Sequence, residues 1–259
     1  MITLTSDFGL KDPYVAEMKG VILTINPKAT IIDITHEVEK FNIRMAAFML
    51  AAAAPYFSQG TVHLAVVDPG VGTKRRAILI QTKKSFFVGP DNGILILAAQ
   101  NQGIKHVYQL TSHSFMLAKI SSTFHGRDIF APVAAHLDKG LPPSEFGPEI
   151  KDPINPEFNI IKRTNSSIIG RVMHIDGFGN IITNINETEM IQNYSETVNV
   201  TLHNFSLKLT FAKAYAQAKP NEPIALIGSH GFLEIALNQG SAAEKFRVKP
   251  GDKVTVTVA

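Results

Sequence analysis

The chain has 259 residues, of which 45% are hydrophobic, so it can bury one large core or two smaller ones, and it contains no cysteine. The missing thiols exclude disulfide frameworks, thiolate nucleophiles and cysteine-based zinc sites. A net charge of +3 carried by scattered Lys and Arg lacks the clustered basic face that nucleic acid requires, so a small-molecule partner is expected. The opening "MITLTSDFG" alternates like a strand with no basic-then-apolar leader, and the longest apolar run, residues 45–54, is too short to span a bilayer. The expected protein is soluble and cytoplasmic, with no membrane partner.

In chain order, β-branched runs "ITLTSD", "TIIDITHEV", "TVHLAVVD", "RAILIQTKK" and "SFFVG" alternate with segments of helical character over residues 14–25, 42–54, 92–102 and 128–138. Strands interleaved with helices predict an α/β N-terminal domain with a largely parallel sheet over residues 1–140. Residues 141–167 carry prolines at 142, 143, 148, 153 and 156, which suit neither a helix nor a central strand and predict a Pro-rich linker. From residue 168 to 259, short strands at close spacing ("GRVMHID", "NIITNIN", "ETVNVTLHN", "PIALIGS", "FLEIALN", "DKVTVTVA") predict a small all-β domain, a barrel or a sandwich.

The densest motif is "VVDPGVGTKRR", residues 66–76. It is not a phosphate-binding P-loop, because Gly72 is followed by Thr73 and only then by Lys74. It is not a dinucleotide fingerprint, because the third glycine is replaced by Arg75 and a strand follows. What remains is Asp68 at the carboxyl end of a strand, where ligands collect in open α/β sheets, with Arg75 within reach of the same spot. A turn closed by an Asx-type hydrogen bond from Asp68 also fits the local sequence. "TSDFG" sets Asp7 at the end of the first strand, where a carboxylate can accept both hydroxyls of a ribose; Asp12 reads as the cap of the following helix. "TFHGRDIF" puts His125 at a loop–helix junction, and "IDGFGNIITN" offers Asp176, Phe178 and Asn180 on one tight loop, as an adenine or amino-acid grip would want. "GSHGFLEIALN" reads as a hairpin presenting Ser229. "THEVEK" lacks the second histidine of a zinc helix, so neither a metal nor a cofactor is expected.

Taken together, "TSDFG", "VVDPGVGTKRR", "GPDNG", "TFHGRD", "IDGFGN" and "GSHGFLEIALN", in this order, resemble the S-adenosyl-L-methionine hydroxide adenosyltransferase family, the hydrolysing relatives of fluorinase and chlorinase. The resemblance implies hydrolysis of S-adenosyl-L-methionine by water at C5′, giving adenosine and L-methionine, with Asp68, Arg75 and His125 organising the water. It implies substrate contacts at Asp7 (ribose diol), Phe41, Phe124, Phe178, Asn180 (adenine), Asp176 and Ser229 (methionine), and Glu234. Phe41 stands where the halogenating relatives have a tryptophan, Gly126 where they have a halide-binding serine, and His230 where fluorinase has an arginine. It also implies a homotrimer with sites between subunits. A chlorinase-type transfer to halide and a non-catalytic adenosine-binding protein are the alternatives.

Overall fold

A computed structural model describes residues 1–190 and 196–257. The chain divides into two compact units, Met1–Asn155 and Pro156–Ala259.

The first unit is a six-stranded sheet with the order β2-β1-β3-β5-β4-β6, formed by β1 (Ile2–Ser6), β2 (Ile31–Thr35), β3 (Val62–Val66), β4 (Ala77–Thr82), β5 (Phe86–Pro90) and β6 (Ile104–Gln109). Every residue of β1 and β3 is buried, as expected of central strands covered on both faces. Ile2 and Leu4 of β1 meet Met18 and Ile22 of helix α1 (Tyr14–Ile25) in one core, which Ala131 and Val133 complete. Helices α2 (Ile43–Ala53) and α3 (Ile96–Asn101) pack on each other, and α4 (Ala131–Asp138) packs on α1.

The sheet is mixed, which corrects the largely parallel expectation. β1, β2, β3 and β5 run parallel, but β4 is antiparallel to both β5 and β6. Only residues 83–85 join β4 to β5, too few for the crossover that a parallel pair needs. β6 was not read from the sequence, because "IKHVYQ" is half exposed and interleaves polar with apolar residues too evenly to stand out. Asp12 does not cap α1: Pro13 occupies the cap position and no side chain bonds there. Asn42 does cap α2, accepting from Met45 N–H at 3.0 Å.

The segment expected as one helix over 128–138 begins as a π-helical turn, Gly126–Phe130, and becomes α4 at Ala131. Pro132 accounts for the break, since it has no N–H to give to the carbonyl of Asp128. That carbonyl instead accepts from Leu117 N–H at 2.9 Å, which ties the preceding loop to the turn.

His63 lies fully buried on β3, stacked on Phe87 with centroids 4.9 Å apart and hydrogen-bonded to Thr3 Oγ1 at 2.8 Å. Burial, and secondarily the charge of Lys84, push its pKa down to about 4 from 6.5. The unfolded chain therefore takes up this proton first as pH falls. Stability is full above about pH 6.5 and declines toward pH 4 by on the order of 3 kcal/mol from this group. Denaturant midpoints at pH 7.5 and 4.5 should show that His63→Gln removes much of the acid loss; an undiminished loss would assign it elsewhere.

The second unit settles the choice between barrel and sandwich. Strands β8 (Ser167–Ile175), β9 (Ile181–Asn186), β10 (Thr197–Leu202), β11 (Phe205–Phe211), β12 (Pro223–Ile227), β13 (Phe232–Leu237) and β14 (Lys253–Thr257) form a closed barrel. β8 pairs with β9 at one end of its length and with β14 at the other. The short β7 (Lys162–Arg163) hangs on β8, and α5 (Glu187–Met190) and α6 (Ala242–Phe246) are single turns. Val172, Ile181, Ile185, Val200, Leu233, Ile235 and Val254, all fully buried, fill the interior. β11 also escaped the sequence reading, because most of "FSLKLTF" is exposed.

Candidate active site

The turn between β3 and β4 closes on itself through Val71 N–H to the Asp68 carbonyl (3.2 Å) and Thr73 N–H to the Gly70 carbonyl (3.1 Å). Asp68 makes no Asx bond within it. Its carboxylate accepts instead from Arg75, Nε to Oδ1 at 3.1 Å and Nη2 to Oδ2 at 2.5 Å, a two-point pairing that fixes the guanidinium plane. Gly72 has φ +75°, and a Cβ there would lie 2.2 Å from the carbonyl oxygen of Ser122. Only glycine permits both the left-handed backbone and this approach. The loop it touches leads directly to His125.

Arg75 Nη2 lies 2.7 Å from His125 Nδ1. A guanidinium can only donate, so Nδ1 must accept, and the ring proton of neutral His125 sits on Nε2. Burial first, then the charge of Arg75, lower the pKa of His125, against an opposing pull from Asp68 and Asp128. Three positions beyond His125, Asp128 is fully buried and accepts from Ser121 N–H at 2.7 Å and Arg127 Nε at 2.6 Å, which ties the loop before the histidine to the turn after it.

Asp68 and His125 line a cavity of about 360 Å³ together with Asp7, Phe41 and Phe124. That volume suits a nucleoside-sized ligand. Phe8 and Tyr14 both meet Phe124 edge-on and are tilted against each other, with centroids 5.3–5.7 Å apart, along one wall. Asp7 Oδ2 accepts from the N–H of Phe41 at 2.9 Å, and Phe41 adopts φ 65°, unusual for a residue with a side chain. Six of the residues named from the sequence thus meet in the first unit: Asp7, Phe41, Asp68, Arg75, Phe124 and His125.

The other five belong to the second unit. The loop between β8 and β9 is drawn tight around Asp176, whose Oδ1 accepts from the N–H groups of Phe178 (2.9 Å) and Asn180 (3.0 Å) and whose Oδ2 accepts from Asn180 Nδ2 (2.9 Å). Gly179 turns at φ +83°, where a Cβ would meet Ser241 Oγ at 2.2 Å. The result is a buried Asn180 and a Phe178 that is 83% exposed. Ser229 sits in the β12–β13 hairpin turn, closed by Gly231 N–H to the Gly228 carbonyl at 2.9 Å. On β13, buried Glu234 accepts from Tyr215 Oη at 2.6 Å. Its pKa is raised by burial and by the nearby charge of Asp176, while the Tyr215 bond opposes the rise.

Residues 2–147 match the family model of the SAM hydroxide adenosyltransferase N-terminal domain, and residues 170–255 match that of its C-terminal domain. The chain belongs to the SAM hydroxide adenosyltransferase family. Within it, the chain is similar to the (R)-S-adenosyl-L-methionine hydrolase of Methanocaldococcus jannaschii, 40% identical over 99% of this chain and 95% of that one. It is similar at lower identity, 27% over 99% and 97% of the two chains, to the fluorinase of Actinopolyspora mzabensis. A crystal structure of an uncharacterized conserved protein from Thermotoga maritima matches with a TM-score of 0.87 at 41% identity, covering 99% of each chain.

Sequence reasoning missed several residues of this adenosyltransferase fold that shape the sites. Phe8, Asp12, Tyr14, Lys40, Val71 and Thr123 line the first-unit cavity, and Tyr215 holds Glu234. None sits at a spacing that announces a ligand. Phe8 and Lys40 are visible in the sequence only as neighbours of Asp7 and Phe41. Among the described residues no group of three or more His, Cys, Asp or Glu could hold a metal ion, and no helix is long and apolar enough to cross a membrane.

Proposed function

We propose that this chain hydrolyses S-adenosyl-L-methionine, water displacing the sulfonium at C5′ to give adenosine and L-methionine, with Asp68, Arg75 and His125 holding the water. The observation that carries this reading is the unbroken series of contacts from the Asp68 carboxylate through Arg75 to His125 Nδ1 at a nucleoside-sized cavity. Relatives named (R)-S-adenosyl-L-methionine hydrolase support it, and from their name we take the R configuration at sulfur as the preferred substrate.

The leaving thioether is neutral and needs no acid, so the difficulty lies with the nucleophile. Transferring a proton from water to a carboxylate ahead of attack costs roughly 16 kcal/mol, so deprotonation and attack must proceed together. The tautomer divides the roles. His125 Nδ1 is engaged by Arg75 and Nε2 carries a proton, which leaves the Asp68 carboxylate as the acceptor and His125 as a donor that orients the water. The aromatic wall of Phe8, Tyr14 and Phe124 excludes competing water, and a dry site favours a step in which the sulfonium and the developing hydroxide lose charge together.

Protonated His125 would turn a donor toward a donor of Arg75. Because its pKa is lowered, the neutral form persists below the ordinary histidine range. The acid limb of kcat/KM should therefore lie below about pH 6.5. A limb above that value would overturn the assignment of a neutral His125.

The deciding experiment incubates the R and S sulfonium epimers in ¹⁸O-labelled water, with and without chloride, and separates the nucleosides. The expected product is adenosine labelled at the 5′-oxygen from the R epimer, with inversion at a deuterated C5′. A 5′-chloro nucleoside or no turnover would sink the reading, and net retention would make Asp68 a covalent nucleophile. No cofactor is proposed to take part.

We also infer a homotrimer in which a neighbouring copy supplies the contacts of Asp176, Phe178, Asn180, Ser229 and Glu234. The exposure of Phe178 on a loop drawn tight by Asp176 supports a surface covered on assembly. Sedimentation of the wild type and of Phe178→Ala tests it, a monomeric wild type being the adverse result.

A further inference from the structure

Outside the cavity the first unit holds a Ser–His–Asp series whose serine and histidine are buried and whose aspartate lies at the surface. Ser6, at the end of β1 and 1% exposed, places Oγ 2.7 Å from His36 Nδ1. His36 Nε2 lies 3.2 Å from Asp33 Oδ1, and Asp33 Oδ2 accepts from Lys19 Nζ at 2.6 Å. The series looks like hydrolytic machinery, but it is not placed to act as such. Ser6 Oγ is buried and does not line the cavity. It also accepts from Phe8 N–H at 3.3 Å, and the Asp33 carboxylate beside Nε2 favours the ring proton there, which leaves Nδ1 to accept from Ser6.

The importance of this contact is in what it joins. Ser6 begins the segment that carries Asp7, and His36 begins the one that carries Phe41. Gly9 N–H donates to the His36 carbonyl at 2.7 Å and Val38 N–H to the Ser6 carbonyl at 3.4 Å. Phe41 N–H donates to Asp7 Oδ2 at 2.9 Å, and Lys40 Nζ to the Asp7 carbonyl. Asp7 and Phe41 both line the cavity. The left-handed backbone of Phe41 persists only if its surroundings hold it there. At the buried base of these two segments, the Ser6–His36 bond is the side-chain link that joins them.

We propose that His36 is a positioning residue for nucleoside recognition. Through Ser6 it sets the Asp7 carboxylate and the Phe41 ring at the separation that grips the ribose diol. The proposal rests on the reading of Asp7 as the diol acceptor and adds the residue that makes that acceptor effective.

The test compares the affinity of adenosine with that of 2′-deoxyadenosine by calorimetry for the wild type, Ser6→Ala, His36→Leu and His36→Asn. The wild type should prefer adenosine. Ser6→Ala and His36→Leu should bind adenosine about tenfold more weakly, the scale of one lost hydrogen bond to a charged group, while 2′-deoxyadenosine changes little. With S-adenosyl-L-methionine, KM should rise and kcat should hold. His36→Asn, whose amide oxygen can take the place of Nδ1, should restore most of the preference. Should His36→Leu fail to fold, Ser6→Ala makes the same comparison. Equal weakening toward both nucleosides would reduce His36 to a structural role and overturn the proposal, as would unchanged adenosine affinity in Ser6→Ala. A wild type indifferent to the 2′-hydroxyl would instead overturn the diol reading of Asp7, and this proposal with it.

Discussion

Asp68→Asn should lose on the order of 10²-fold or more in kcat while adenosine affinity stays close to that of the wild type. The carboxylate accepts Arg75 through both oxygens and faces the cavity beside His125. An amide there keeps the volume but presents N–H toward a guanidinium that can only donate. The variant loses the proton acceptor and the anchor of Arg75 together, so Arg75 no longer holds His125 in its tautomer. His125→Ala should fall by a similar factor, and the double variant should fall far short of the product of the two losses, because the residues act as one unit. Single-turnover rates and adenosine calorimetry measure the two quantities separately. If binding and rate fell equally, Asp68 would be a substrate contact and not part of the water site.

The second large effect is expected at a residue with no side chain. Gly72→Ala places a Cβ 2.2 Å from the carbonyl oxygen of Ser122 at a residue with φ +75°. Backbone strain and the clash should cost about 2–4 kcal/mol of stability. The clash also pushes the turn bearing Asp68 and Arg75 away from the loop bearing His125. Since a misplacement of about 1 Å can cost on the order of 10²-fold in rate, turnover of the folded fraction should drop on that scale. Thermal melting with activity measured well below the melting temperature separates the two effects. Wild-type turnover in a destabilised Gly72→Ala would show that this contact does not align the site.

Much of the first unit is legible in the sequence because local patterns and tertiary demands agree there. The run from Tyr14 to Ile25 is a helix as read, and the buried strands β1 and β3 announce themselves as apolar, β-branched segments. The departures occur where the signal is not local. β6 and β11 pair along half-exposed surfaces, so their side chains carry no clear period, and their place in a sheet is decided by strands far away in sequence. The direction of β4 follows from the length of its connection to β5, a matter of geometry and not of composition. Closure of the barrel likewise depends on β8 meeting β14, more than seventy residues later by their numbering.

The candidate site divides in the same way. The residue types were determined by the sequence, and the resemblance of six motifs named Asp68, Arg75 and His125 as a group. Their contacts were decided by the fold. A turn that Gly72 lets press on Ser122 sets Arg75 against a histidine fifty positions away, and the fixed donor character of a guanidinium then dictates which nitrogen of His125 keeps its proton. No pattern in the chain pairs His36 with Ser6, because they stand at the ends of separate strands until β1 and β2 lie side by side and bring them within 2.7 Å. Sequence by itself determines which chemical groups are present and which local turns can form. Distances, tautomers and burial belong to the tertiary structure, because they arise between segments that only the folded sheet makes neighbours.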